Sequence, residues 1–306
     1  MAKQSSGGIG RLVLRGKEGL VPECSGVCCK GEFTVELIYQ RFWHSAVTRL
    51  AEEEVMSITN FLDSHTEIRV MLKIGVNDLL IRDAVVETFR EKDRKSAEPL
   101  IYRPALQGIK AYFGAGKPVK EAMSSQPQLV EPVLENIMAV IQAESYFYQE
   151  RGFESAEAYD EFWDQNYRGT CKYYSNLELV QERFMANIQP KHRSTHLFGR
   201  YRNVAVFSLG PETLQVNVNF SDSFHEMAIN FTCRGKEYRI DNIEAWMLRC
   251  PDQICRQAVL DLQGVVGLDL AGAQEKEIMK RSGSGQGCTH LGLMTVDAAR
   301  ALQAVG

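Results

Sequence analysis

In the stretch "GSGQGCTHLGLM" (283–294), Cys288 and His290 stand two residues apart, directly after a glycine-rich turn. Thiolate and imidazole are donors for zinc, iron and iron–sulfur centres; calcium and magnesium take oxygen donors instead. Residues two apart on a helix face different ways, so this pair can share one ion only if at least one lies in the turn ahead of the helix. Glycine permits the backbone angles such a turn needs. Without a metal, Cys288 at a helix N-terminus would have reason for thiolate reactivity.

Further donors lie upstream. His225 opens an alternating run, and Cys250 and Cys255 follow the run after it. If the three loops carrying these residues converge at one end of a sheet, His225, Cys255, Cys288 and His290 form a metal-ligand set, with Cys250 the alternative middle thiol. Binding would release thiol protons and couple to local folding. Glu226 is the candidate general base if the site is catalytic.

The elements that must hold these residues occur twice. "DSHTEIRVMLKIGVNDLLIRDAVVETFR" (63–90) aligns without a gap to "DSFHEMAINFTCRGKEYRIDNIEAWMLR" (222–249), and "LQGIKAYFGAGKPVKEAM" (106–123) then aligns to "LQGVVGLDLAGAQEKEIM" (262–279) after a three-residue shift. Each stretch reads as a strand, a turn and a second strand. Helical patterns around 96–113 and 254–269, a short helix near Lys-Glu-x-Met and a closing helix should follow. Strands followed by helices predict a duplicated α+β domain, each copy an antiparallel sheet with helices on one face. The first copy holds Thr66, Glu91, Ser96, Pro127 and Leu129 opposite the imidazoles and thiols of the second. The ligand set is therefore confined to the second copy.

The boundaries read as an N-terminal arm (1–38), a ligand-free copy (39–144), an aromatic-rich helical connector (145–194) and a copy with the metal site (195–306). Tyr159, Phe162, Trp163 and Tyr167 fall on one stripe of the connector, the pattern of a helix packed across both copies or of an aromatic pocket wall. "CSGVCC" (24–29) in the arm lacks a partner pair at finger-like spacing, and His192 and His196 precede a run that looks extended rather than helical.

Composition bounds the function. Hydrophobic residues are 44% of the 306 and charged residues 24%, the balance of a globular protein, and the formal net charge of −4 offers no basic field for nucleic acid. No run suggests a signal peptide or a membrane span, so a cytoplasmic location is expected, with the eight cysteines reduced. There is no P-loop and no Gly-x-Ser-x-Gly elbow.

Two resemblances follow from these motifs. "HEM" (225–227), "PDQIC" (251–255) and "GCTHL" (287–291) make the second copy similar to an uncharacterised bacterial domain family, over roughly 195–306. That family implies no reaction, and it points to Cys255 as the middle thiol. "LLIRDAVVETF" (79–89) and "YRIDNIEAWMLRC" (238–250) make both copies resemble the iron–sulfur scaffold fold of the NifU N-terminal type. That resemblance implies Ser223 and His225 in the first ligand motif, Cys250 as the middle cysteine and Cys288 with His290 as the late pair. The sequence departs from it, since the first motif has no cysteine and the late pair is not adjacent.

The expectation is a scaffold, metallochaperone or accessory protein binding zinc, iron or an iron–sulfur cluster, with a protein partner or a second copy of itself. A metal-dependent enzyme with an open coordination position is the rival, and a purely structural subunit is the third reading.

Overall fold

A computed structural model describes residues 35–92, 98–188 and 193–305. The arm with Cys24, Cys28 and Cys29, and also His192, lies outside them. The strands are β1 (Glu36–Ala51), β2 (Glu54–Asp63), β3 (Glu67–Gly75), β4 (Ile81–Arg90), β5 (Leu100–Tyr102), β6 (His196–Gly210), β7 (Thr213–Asp222), β8 (Glu226–Arg234) and β9 (Arg239–Arg249). The α-helices are α1 (Gly116–Ala122), α2 (Val130–Ala143), α3 (Ala156–Tyr167), α4 (Phe184–Ile188), α5 (Ala258–Asp261), α6 (Glu275–Arg281) and α7 (Thr289–Val305).

All nine strands join one antiparallel sheet in the order β5-β4-β3-β2-β1-β6-β7-β8-β9. This overturns the expected pair of α+β copies, each with its own sheet, and with it the NifU-type scaffold fold. The reason lies in β1. Its sixteen residues pair with β2 along one edge and with β6 along the other, from Glu36 opposite Ser208 to Thr48 opposite His196. Each half would otherwise leave a long edge of unpaired N–H and C=O groups, and pairing them with each other removes that edge.

The hairpins β3–β4 and β8–β9 fall where alternation places them, because one face is buried and the other is not. The long helices expected around 96–113 and 254–269 are absent among the described residues. The first stretch holds the short β5 and turns, the second only 3-10 turns and the four-residue α5. The three-residue alignment shift is also corrected. Gly108 and Gly267, at φ of 82° and 80°, donate their N–H groups to the Ile81 and Ile240 carbonyls at 2.9 Å, keeping the same separation as Asp63 and Asp222. The matching "LQG" letters therefore do not mark equivalent places.

Helices α2 and α7 pack side by side on one face, α2 on β1, β2, β3 and β6, and α7 on β1, β6, β7 and β8. Beneath them sit two apolar clusters, one around Leu72, Ile81 and Val133, the other around Phe231, Ile240 and Leu291. Where the halves meet, Arg41, Arg200 and Arg202 point into this buried face. Glu135 of α2 takes Arg200 at 3.1 Å and Arg202 at 3.8 Å, and Asp297 of α7 takes Arg41 at 3.1 Å and Arg202 at 2.8 Å. The seam is thus fastened by charge as well as by strand pairing. The opposite face exposes Phe42, Tyr201, Trp246 and Leu248. No helix among the described residues is long and apolar enough to cross a membrane.

Candidate functional site

The turn from β7 to β8 is built by Asp222. Its Oδ1 accepts the N–H groups of Phe224 at 2.7 Å and His225 at 2.6 Å, its own N–H donates to the His225 carbonyl at 2.9 Å, and Arg249 donates to its carbonyl at 2.8 Å. A short acidic side chain closing on the backbone two and three residues ahead is a stable turn in its own right. The β2–β3 turn has the same construction. Asp63 accepts from His65 and Thr66 at 2.7 Å each, and Arg90 donates to its carbonyl at 3.0 Å. The turn is common to both halves of the sheet; the second places an imidazole at its fourth position, His225, where the first has Thr66 and carries His65 one position earlier, opposite Phe224.

Asp222 also holds that imidazole. Its carboxylate lies 3.1 and 3.3 Å from His225 Nδ1, which orients the ring and, with Nδ1 protonated, leaves Nε2 with a free lone pair. Burial opposes ionisation of Asp222, but the charge and hydrogen bond of His225, with His290 and Arg200 behind it, outweigh burial and hold the carboxyl well below the usual range.

His290 comes from the other end of the sequence. The loop before α7 is clamped against residues 169–176: Lys172 N–H donates to the Gly287 carbonyl at 2.7 Å, Ser175 Oγ to the Gly285 carbonyl, and Thr289 Oγ1 to the Thr170 carbonyl at 3.1 Å. A Cβ on Gly287 would strike the Ser282 carbonyl oxygen, so the close turn requires glycine there. Cys288 precedes α7 and His290 is its second residue, which delivers the imidazole to His225 with ring centroids 4.3 Å apart. Burial, then the neighbouring His225, push the His290 pKa well below its ordinary value. Asp222, His225 and His290 bring one donor atom each within 4.8 Å of one another.

These imidazoles open on a cavity of about 160 Å³ between α2, α3, α7 and the sheet. His225, Cys255, Cys288 and His290 all line it, as does Cys171. The two thiols do not belong to the tight Asp222–His225–His290 group. Burial pushes Cys288 up to about 12, so it is a protonated thiol at neutral pH. From the connector, Trp163 and Tyr167 supply aromatic wall. Glu226 stands elsewhere. It is exposed and borders a depression on the other face with Phe42 and Tyr201, because successive strand residues alternate faces. It therefore cannot act as a base in this cavity. Sequence reasoning missed Asp222; the signal available was the Asp-Ser pair that opens both aligned stretches.

Cys250 does not line the cavity but shares a hydrogen bond with Cys255. That bond from Cys255 is the main influence lowering Cys250 to about 6; burial opposes it, and Arg256 and His225 add to it. Cys250 Sγ lies 3.2 Å from the Asp252 carbonyl, to which the protonated thiol donates. Cys255 is pushed up in turn, chiefly by the same bond and by burial. Alkylation of Cys250 by iodoacetamide should accordingly rise through about pH 6 and level off above it. In Cys255→Ala the midpoint should move up toward about 8.5. Peptide-level mass spectrometry reads both, and an unchanged midpoint in the variant would mean that Cys255 does not donate.

Residues 208–303 match a family described as "Protein of unknown function (DUF2889)". The match takes in β7 to β9, most of α7 and all four ligand candidates of the sequence, while the β1–β5 half lies outside it. No curated protein matches the chain, and no solved structure does.

Proposed function

We propose that this chain binds a divalent transition metal, zinc or iron, at His225 and His290, and uses it catalytically on a small molecule held in the adjoining cavity. The observation carrying this reading is the meeting of Asp222, His225 and His290 within 4.8 Å, with both imidazoles on the cavity wall. Two imidazoles and a carboxylate are a donor set typical of zinc and non-haem iron sites with open positions. Asp222 either joins the ion or, as its contacts with His225 favour, orients that ligand from behind. Cys255 and Cys288 stand in the same cavity and are the further donors if the metal is bound by thiolate.

The choice of catalysis over delivery rests on the cavity beside the imidazoles. A scaffold or metallochaperone must offer its metal to a partner's ligands, whereas these imidazoles face a cavity walled by α2, α3 and α7. An iron–sulfur cluster is disfavoured by the donor set, since it needs several thiolates and the tight Asp222–His225–His290 group holds none. A metal here would act as a Lewis acid, held by His225 through Nε2 and by His290, with Asp222 fixing the His225 ring from behind.

The deciding experiment is metal analysis of protein purified without oxygen, with zinc and iron titrations. Wild type should bind about one ion per chain, the His225→Ala/His290→Ala variant should bind none at the same concentrations, and Cys288→Ala should retain it. Metal content unchanged in the double histidine variant would sink the proposal. Loss in Cys288→Ala alone would move the ion to the thiols.

A further inference from the structure

The cavity wall specifies what it would hold beside the ion. Its aromatic side chains form a continuous run: Trp163 and Tyr167 lie 4.6 Å apart, and Tyr167 and Tyr174 lie 5.4 Å apart. Met138 and Leu293 add flexible apolar surface. A void of about 160 Å³ is near the size of apolar cavities that accept one benzene ring.

Charge narrows the choice further. Apart from the imidazoles, the cations on the wall are Arg200 and Lys172. Arg200 is paired with Glu135 at 3.1 Å, and Lys172 with Asp261 at 2.9 Å. Neither is free to neutralise a carboxylate or a phosphate, and burying such a group unpaired is costly. At the imidazole end, no hydrogen bond among the described residues uses His225 Nε2 or either ring nitrogen of His290. Without an ion these nitrogens are open to a hydrogen-bonding group, and with one the ion keeps an open position; a hydroxyl, donor and acceptor at once and an uncharged oxygen ligand, suits both.

We propose that the cavity binds an uncharged single-ring aromatic alcohol of the phenol class, its ring against Trp163, Tyr167 and Tyr174 and its hydroxyl toward His225 and His290. This deepens the metal-site reading by naming the class of molecule at the open position. The walls that select the ring are present with or without an ion, so the two can fail separately.

The test uses full-length protein with methyl-labelled methionine, titrated with phenol in metal-free and zinc-supplemented samples. Met138 and Met247 line the cavity, whereas Met56 and Met71 lie on the opposite face of the sheet and serve as internal controls. Phenol should shift the cavity methyl signals saturably, with a dissociation constant of about 1 mM or tighter, and leave the controls still. Benzoate and cyclohexanol should each bind at least about tenfold more weakly, the first for its charge and the second for its missing π-face. Leu293→Trp, or Met138→Trp should the first not fold, should fill the space and abolish the shifts. Non-saturating shifts, shifts equal at Met56 and Met71, or benzoate binding as well as phenol would each overturn the proposal. Saturable phenol binding in a protein that takes up no zinc would support the pocket while removing the metal reading.

Discussion

Replacing Asp297 with alanine should lower the unfolding free energy by about 3–5 kcal/mol, the range for breaking a buried ion pair by removing one partner. Asp297 is 2% exposed, and its two oxygens take Arg41 Nη1 at 3.1 Å and Arg202 Nε at 2.8 Å. Burial works against both guanidinium charges. For Arg202, Asp297, Glu135 and Glu131 outweigh it, and for Arg41, Asp297 and Tyr39 do. Without Asp297, Arg202 keeps only the looser contact to Glu135 at 3.8 Å, and Arg41 has lost its carboxylate. The loss falls at the β1–β6 seam, so urea unfolding should show a lower midpoint. A second substitution, Arg41→Met, made in Asp297→Ala should restore part of the loss, because it removes one stranded charge. A change below about 1 kcal/mol in the single variant would mean that the seam is held by strand pairing and apolar packing alone.

Asp222 should separate turn stability from metal affinity. Asp222→Ala leaves the N–H groups of Phe224 and His225 without their acceptor, and a loss of about 2–6 kcal/mol is expected at about 1–3 kcal/mol for each group stranded. Asp222→Asn keeps an oxygen for those donors and should retain most of that stability. It removes the negative charge that orients His225, so zinc affinity should fall about 10–100-fold. Because the folded-state pKa of Asp222 is depressed, the charge-dependent part of its contribution is present above about pH 4 and is lost as pH falls through the folded value. Asp63→Ala is the control, since it breaks the matching turn, whose His65 belongs neither to the tight donor group nor to the cavity wall, and should cost stability without touching zinc binding. Urea unfolding and competition against a chromophoric chelator read the two effects. Wild-type zinc affinity in Asp222→Asn would remove Asp222 from the site.

The sequence by itself determined the local elements. Alternation marked β3, β4, β8 and β9 because each has one buried face, and the Gly-rich turn before Cys288 marked the start of α7. It also nominated His225, Cys255, Cys288 and His290, which the fold brings to one cavity. Residue type announces donor chemistry wherever the chain goes, and an interrupted helix pattern announces its end.

Only the tertiary structure decided the rest. That β1 pairs with β6 depends on contacts between residues 148 to 172 apart, and backbone hydrogen bonding, which makes that pairing, leaves no mark in side-chain periodicity. The tight Asp222–His225–His290 group, the placement of the thiols along the cavity wall outside it and the displacement of Glu226 to the far face are likewise matters of side-chain direction. Direction comes from the register of each strand and the rotation of each helix, and both are set by what packs against them.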